Sequence, residues 1–377
     1  MGAMKVAFGV SVLARCTRQG GVDGIGTYTR ELMAAMPESV ALQPYLFDLP
    51  ASAWVGEVPA VSLGSFRQQA LAAFLPWINF NQARSVLGSG INLVHASDHL
   101  VPRLPGIPTV ATIFDAIPLS HPEWVRYSFK SLKNELWRRT AFWAQHVITI
   151  SEYSRQEITS HFRIPEDRIT AIPLGVGAQW FVPVEQTQEA AVRSRYLLPK
   201  DRYFVCVGTL QPRKNIGRLL CAHANLPEHV QRECPLIIVG KPGWGCEDVV
   251  NRLTGGQLKH VRWLGHLPDA ELQVVIKCAT ALVFPSLHEG FGLPVLEAFA
   301  AGVPVVTSNT TSIPEVAGDA ALLIDPLRID ELSDAMCRII EDPGLAGQLR
   351  VRGRERVRGF TWQACAEKTL RVYESMI

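Results

Sequence analysis

Unbroken runs of Val, Ile and Leu recur along this chain, and stretches with helical spacing alternate with them. KVAFGV opens the sequence and GTYTRELMAAM follows as an amphipathic helix; INLVHAS, TVATIF, HVITIS and IPLGV continue the series. A second series comprises YFVCVGTL, PLIIVG, HVRWLG, TALVFPS, VPVVTS and AALLID. A strand with continuous apolar character must be covered on both faces, which is the condition of a parallel sheet flanked by helices. Two such series in 377 residues predict an α/β protein of two Rossmann-like doubly wound domains, each with its own core. The polar stretch 177–202 breaks the rhythm, so the first domain is placed at 1–178, a linker at 179–200 and the second domain at 201–360. FTWQACAEKTLRVYESM, near the end, reads as an amphipathic helix with no strand after it.

Composition narrows the function. A net charge of +2 gives no whole-molecule field for nucleic acid. Eight cysteines without a CxxC pair speak against zinc, and Cys206 and Cys278, in apolar runs, read as reduced core thiols. No apolar window reaches the length of a membrane span, and the first apolar run is too short for a signal peptide. A cytoplasmic protein is expected, either free or at the inner face of the membrane.

The richest motif is TALVFPSLHEGFGLPVLEAFAAG, where Glu289 and Glu297 stand eight apart around a Gly-Phe-Gly-Leu-Pro turn. Proline is favoured in the first helical turn, so a helix is expected to begin near Pro294 with its free N–H groups at the sheet's carboxyl edge. Gly290 and Gly292 allow close backbone approach to a ligand. A helix start suits phosphate, whereas carboxylates beside it suit sugar or ribose hydroxyls. The plain alternative is a strand–loop–helix connection with two solvated acids. In VGTLQPRKNIGRLL, Arg213 and Lys214 follow a strand and precede a helix. Cations there oppose the helix dipole, which argues for an anion, a diphosphate, against them; the alternative is two surface residues.

GGVDGIGTYTRELM places Gly24 and Gly26 ahead of a helix expected directly after the first strand. It fits a loop closing on phosphate better than a dinucleotide fingerprint, or it is an ordinary turn. Asp115 follows the strand in TVATIFDAIPL. His95, at a comparable strand end, is either a satisfied core histidine or a ligand contact. WVRYSFKSLKNELWRRTAFWAQ (124–145) is either an interfacial helix attracted to anionic lipid or an amphipathic helix with a solvated basic face. FRQQALAAFLPWINFNQ (66–82) carries no charge after Arg67 and reads as part of an apolar acceptor groove or as core.

Together GGVDGIGTYTREL, TIFDAIPL, ITISEYSRQEI, VGTLQPRKNI and PSLHEGFGLPVLEAFAAGVPVV resemble the retaining glycosyltransferases of sequence family 4, over nearly the whole length. The wording is most similar to the mannosyltransferase-like branch of bacterial polysaccharide and O-antigen assembly. The resemblance implies the GT-B fold, two Rossmann-like domains facing a central cleft, with the last helix (361–377) packing back on the first domain. It implies that Glu289 contacts the donor sugar, Glu297 the ribose hydroxyls, and Arg213 and Lys214 the diphosphate. The segment Gly290, Phe291, Gly292 and Leu293 would lie along the sugar and phosphates, and Gly24 and Gly26 on the donor side. Many relatives read His-Asp where this chain reads Phe114-Asp115, so Asp115 is the first-domain acid left for catalysis. The partners implied are a nucleotide-diphosphate sugar, best GDP-mannose or GDP-rhamnose, and a glycan or polyprenyl-linked acceptor. The donor is a substrate; no cofactor, metal or nucleic acid is expected. The alternative is a non-catalytic sugar-nucleotide-binding subunit. Glu289→Ala is expected to abolish transfer and leave the fold intact.

Overall fold

Every strand pairing among the described residues of the computed structural model (3–18, 21–71, 87, 90–256 and 258–377) is parallel. The strands fall into two sheets. The first holds β1 (Met4–Gly9), β2 (Val40–Leu46), β3 (Val61–Ser62), β4 (Leu93–Ala96), β5 (Thr109–Thr112), β6 (His146–Thr149) and β7 (Ile169–Ala171), in the order β3-β2-β1-β4-β5-β6-β7. The second holds β8 (Phe204–Val207), β9 (Leu236–Val239), β10 (Val261–Trp263), β11 (Ala281–Phe284), β12 (Val305–Ser308) and β13 (Leu322–Ile324), in the order β10-β9-β8-β11-β12-β13. One unit comprises Met1–Pro122, Tyr127–Gly175 and Trp362–Ile377, the other Glu123–Arg126 and Val176–Thr361.

The central strands FVCV, LIIV, ALVF and VVTS are buried almost throughout, because helices cover both faces. Cys206 is in this core, whereas Cys278 is only partly buried at the end of the helix Asp269–Lys277. The stretch 179–200, expected as a linker, belongs to the second unit and carries the helix Gln186–Arg195, anchored by buried Val192. The helix Trp362–Met376 belongs to the first unit and buries Trp362, Cys365, Ala366, Thr369, Val372 and Tyr373 at helical spacing.

Four local readings change. IPLGV is not a strand: pairing stops at β7 and Pro173, with no N–H to donate, follows. Strand β2 was hidden by Gln43 and Pro44. Pro44 is tolerated because β3 pairs only with Tyr45 and Leu46, leaving that side of the proline unpaired. A helix, Ser11–Arg18, intervenes between β1 and the glycine-led helix Gly24–Ala35. The basic–aromatic segment is a short 3-10 turn, Pro122–Trp124, followed by the helix Lys130–Ala141. There Glu135 pairs with both Arg138 and Arg139 at 2.7 Å, so one of these two positive charges is offset within the helix and the basic face is weaker than the sequence suggests. Of the segment 66–82, Phe66–Leu71 is helical and the remainder lies outside the described residues.

The first unit is tied by a buried polar cluster. His95 on β4 hydrogen-bonds through Nε2 to Thr112 Oγ1 on β5 (2.8 Å) and through Nδ1 to Tyr373 Oη on the last helix (2.5 Å). Tyr28, on the helix Gly24–Ala35, reaches the same Thr112 hydroxyl at 2.8 Å. His95 is therefore a satisfied core histidine. Burial drives its pKa down to about 3 from the ordinary 6.5, so it is neutral at physiological pH. An unfolded chain gains a proton there below pH 6.5 that the folded chain cannot take, so stability falls as pH drops. We expect a loss of about 1.4 kcal/mol per pH unit in that range from this group. Urea titrations at pH 7 and pH 5 should show a larger loss in wild type than in His95→Gln, since His223, pushed down to about 4 by burial, contributes equally to both.

Candidate functional site

In the second sheet the strand order reverses between β8 and β11. Connections leaving these neighbours at their carboxyl ends run to opposite sides, which opens a crevice where ligands of such sheets bind. The loop after β8 carries Arg213 and Lys214 in a 3-10 turn, Pro212–Lys214; the loop after β11 carries Glu289. Glu289 is 8% exposed. Lys214 Nζ donates to its Oε1 at 2.5 Å and Arg213 Nη1 to its Oε2 at 2.9 Å. Lys214 Nζ also lies 4.5 Å above the Phe284 ring. The anion that the sequence argument demanded against these two cations is thus supplied within the chain, by Glu289.

Backbone conformation makes this contact possible. Gly208 has φ 142°, and a Cβ there would lie 3.2 Å from Lys214 Cε. Asn215 sits in the left-handed region (φ 59°), where Asn is tolerated better than most residues. Its Nδ2 donates to Pro285 O (3.0 Å) and Pro326 O (2.7 Å), which fixes the turn to the neighbouring loops. Leu287 N donates to Arg213 O at 2.7 Å, and Arg213 Nη1 to His288 O at 3.1 Å. On the other side, Ser312 Oγ donates to the carbonyls of Glu289 (2.8 Å) and Phe291 (3.1 Å), and Glu289 N donates to Thr311 Oγ1 at 3.2 Å. Asn215, Thr311 and Ser312 had no role in the sequence reading. The available signal was Asn after Pro-Arg-Lys and a Ser/Thr cluster before a Pro-bearing helix.

The helix expected at Pro294 runs Leu293–Ala300, with Pro294 in its first turn. Gly292 precedes it with φ 111°, and a Cβ there would lie 2.7 Å from Ile313 Cδ1. Gly290 and Phe291 are buried beside it. Glu297, on this helix, has no hydrogen-bond donor on its carboxylate among the described residues. The two glutamates differ sharply in proton affinity. Burial would raise the Glu289 carboxyl, but the Lys214 and Arg213 charges outweigh it and hold the pKa at about 2. Burial pushes Lys214 down from the ordinary amine value, with Glu289 acting in the opposite direction. Glu297 is raised to about 7 by burial and then by the Asp269 carboxylate.

Gly24, Gly26 and Asp115 belong to the first unit. Gly24 and Gly26 lie in the first turn of their helix, with Asp23 Oδ1 accepting from Gly26 N at 2.8 Å. A side chain at Gly26 would meet Val22 Cγ1 at 2.7 Å, so packing accounts for that glycine; a Cβ at Gly24 would meet nothing. Asp115 Oδ1 accepts from Ile117 N at 3.0 Å at the start of the short helix Ile117–Ser120, a structural use of one of its oxygens. Phe114 packs edge-on against Tyr28, ring centres 5.1 Å apart. Among the described residues no cluster of three His, Cys, Asp or Glu side chains is arranged to hold a metal.

Comparison with known proteins follows the two units. Residues 22–180 match the family model "Glycosyltransferase Family 4", and residues 188–356 match "Glycosyl transferases group 1". The O-antigen chain mannosyltransferase B of Escherichia coli is 36% identical over 272 residues, 70% of either chain. The chain belongs to glycosyltransferase family 4. Family-4 membership makes it a glycosyltransferase. A second relative, the MMP alpha-(1->4)-mannosyltransferase of Mycolicibacterium hassiacum, is 31% identical over 291 residues, 72% of this chain and 66% of that one. In fold, this glycosyltransferase is similar to Anabaena HepE, solved with UDP and glucose: TM-score 0.76, 17% identity, 99% of this chain and 100% of that one. Its likeness to WaaG, a glycosyltransferase of lipopolysaccharide biosynthesis, has a TM-score of 0.71 at 16% identity, covering 98% and 99%. The two-domain architecture is GT-B.

The ion pair revises the expected behaviour of one variant. Glu289→Ala leaves two partly buried cations without their carboxylate, so it acts on stability as well as on chemistry. Breaking a fully buried pair by removing one partner costs about 3–5 kcal/mol, and water reaching Arg213 and Lys214 reduces that here. Chemical denaturation should show a loss below that range for Glu289→Ala and a smaller one for Glu289→Gln, which keeps oxygen and nitrogen in place. A Glu289→Ala protein as stable as wild type would mean that the pair contributes nothing to the fold.

Proposed function

We propose that this glycosyltransferase moves mannose, with retention of configuration and without a metal ion, from GDP-mannose to a glycan of a cell-surface polysaccharide. The observation that carries the reading is the ionised Glu289 carboxylate held between Arg213 and Lys214 at the strand-order reversal of the second sheet. The three groups sum to one positive charge, so a nucleotide diphosphate is still attracted. As the bond between the sugar's anomeric carbon and the β-phosphate oxygen breaks, negative charge grows on that phosphate. Arg213, Lys214 and the N–H groups at the start of the helix Leu293–Ala300 are the donors suited to stabilise it. Positive charge grows on the sugar, and Glu289 is the carboxylate suited to it. The acceptor hydroxyl bonds to the anomeric carbon on the face the phosphate leaves, and its proton passes to the departing phosphate oxygen. Asp115 is the acid assigned to the acceptor side.

Mannose is chosen over rhamnose because both curated relatives above are mannosyltransferases by name. A polyprenyl-linked acceptor is consistent with exposed Phe129 (78%) and Leu132 (58%) beside Lys130 and Lys133. No helix among the described residues is long and apolar enough to cross a membrane.

Thermal-shift and transfer assays with GDP-mannose, GDP-rhamnose, UDP-glucose and dTDP-rhamnose test the donor. GDP-mannose should stabilise the protein and be consumed, and the rate should survive EDTA. Turnover of a UDP-sugar alone would overturn the donor, and loss on chelation restored by manganese would overturn metal independence.

Glu297 supplies a separate check. If its carboxylate accepts hydrogen bonds from the ribose hydroxyls, only the ionised form binds well. With a pKa near 7, GDP affinity should rise from pH 6 to pH 8 through this group. Calorimetry should show the rise in wild type and a flatter profile in Glu297→Gln; parallel profiles would separate Glu297 from the nucleotide.

A further inference from the structure

A cavity of about 330 Å³ lies in the second unit, between the start of the helix Ile216–Ala224 and the helix Glu247–Thr254. Its walls include Leu210, Ile216 and Val249, the thiols of Cys221 and Cys246, and the guanidinium-bearing Arg218 and Arg252. Among the described residues no carboxylate lines it. Two cations sharing one cavity repel each other, and Arg218 stands in the first turn of its helix, where the helix dipole also opposes a positive charge.

Their own chain leaves these groups weakly used. Arg218 Nη1 donates to Asn215 Oδ1 at 3.0 Å. Arg252 has only long contacts, Nη1 to Gly217 O at 3.5 Å and Nη2 to Cys221 Sγ at 3.8 Å. Among the described residues neither guanidinium has a carboxylate partner. Each guanidinium has five N–H donors in a fork that matches a phosphate or carboxylate, so most of this capacity is open. The contrast with Arg213 and Lys214 is direct: there the chain provides its own counter-ion, and here it does not.

We propose that this cavity is an anion-binding site for a small organic phosphate, its charge against Arg218 and Arg252 and its apolar body against Leu210, Ile216 and Val249. The site is distinct from the proposed donor site, which uses Arg213 and Lys214, and its existence does not rest on the identity of the donor. The two share the turn between them, since Pro212 and Asn215 line the cavity while Arg213 and Lys214 point to Glu289.

Phenyl phosphate is the probe, titrated calorimetrically into the full chain, with inorganic phosphate and phenol as separate arms. Phenyl phosphate should bind saturably and more tightly than inorganic phosphate, and phenol should not bind. Arg218→Gln and Arg252→Gln should each weaken it about tenfold or more. Val249→Phe, which fills the cavity and keeps both charges, should weaken it by at least as much. Lys214→Ala should change it less than twofold, on the same scale. Circular dichroism melts identify any variant that fails to fold, and the comparison among folded variants decides. Absence of saturable binding to wild type overturns the site. So does binding lost in Lys214→Ala and kept in Arg252→Gln or Val249→Phe, because the probe would then occupy the donor site.

Discussion

The second unit is organised around one carboxylate with two cations on it. Taking Glu289, Lys214 and Arg213 out of water is unfavourable for each alone, and the attraction among them offsets that cost only if the geometry is held closely. Much of the surrounding loop structure serves this. The left-handed Asn215 ties the cationic turn to Pro285 and Pro326, while Ser312 and Thr311 grip the backbone of the glutamate loop. The ion pair in turn joins loops from two adjacent strands whose connections diverge.

The first unit solves a similar problem without net charge. Its adjacent strands β4 and β5 are joined through His95 and Thr112, and the hydroxyls of Tyr28 and Tyr373 bring in a helix near each end of the chain. Each polar group in this cluster is satisfied by another, so burial keeps the histidine neutral instead of demanding an ion. Phe114 belongs to the same arrangement through its edge contact with Tyr28. An aromatic hydrocarbon at that position packs without requiring a further hydrogen-bond partner. The departure from His-Asp is therefore compatible with the local packing.

The apolar runs were enough to read most strands and both doubly wound units, because burial on both faces leaves little choice of residue. They failed where a strand is not buried on both sides or is interrupted: β2 carries Gln43 and Pro44, and β3 is two residues long. Within the candidate site, the loop after β11 and the cationic turn after β8 were both legible from glycine, proline and charge. Their mutual contact was not. Glu289 lies 76 residues from Arg213, and a charge pattern in one dimension cannot distinguish a cation waiting for a ligand from one already paired across the sheet. That is why the helix-dipole argument asked for an external anion and the fold supplied an internal one.

The two glutamates of the motif show what the sequence spacing alone leaves open. They are eight residues apart and chemically identical, yet their surroundings shift their pKa values in opposite directions, to about 2 and about 7. Groups whose environments separate their proton affinities are suited to different tasks. Glu289 is locked in its charged form by neighbours that cannot leave, so it presents a fixed negative field near neutral pH. Glu297 has no such neighbours; its charge is opposed by burial and by Asp269, so hydrogen-bond donors brought by a ligand would stabilise the ionised form. A carboxylate already compensated suits a charge that appears only during reaction. An uncompensated one suits recognition of hydroxyl groups, because binding itself provides the missing donors.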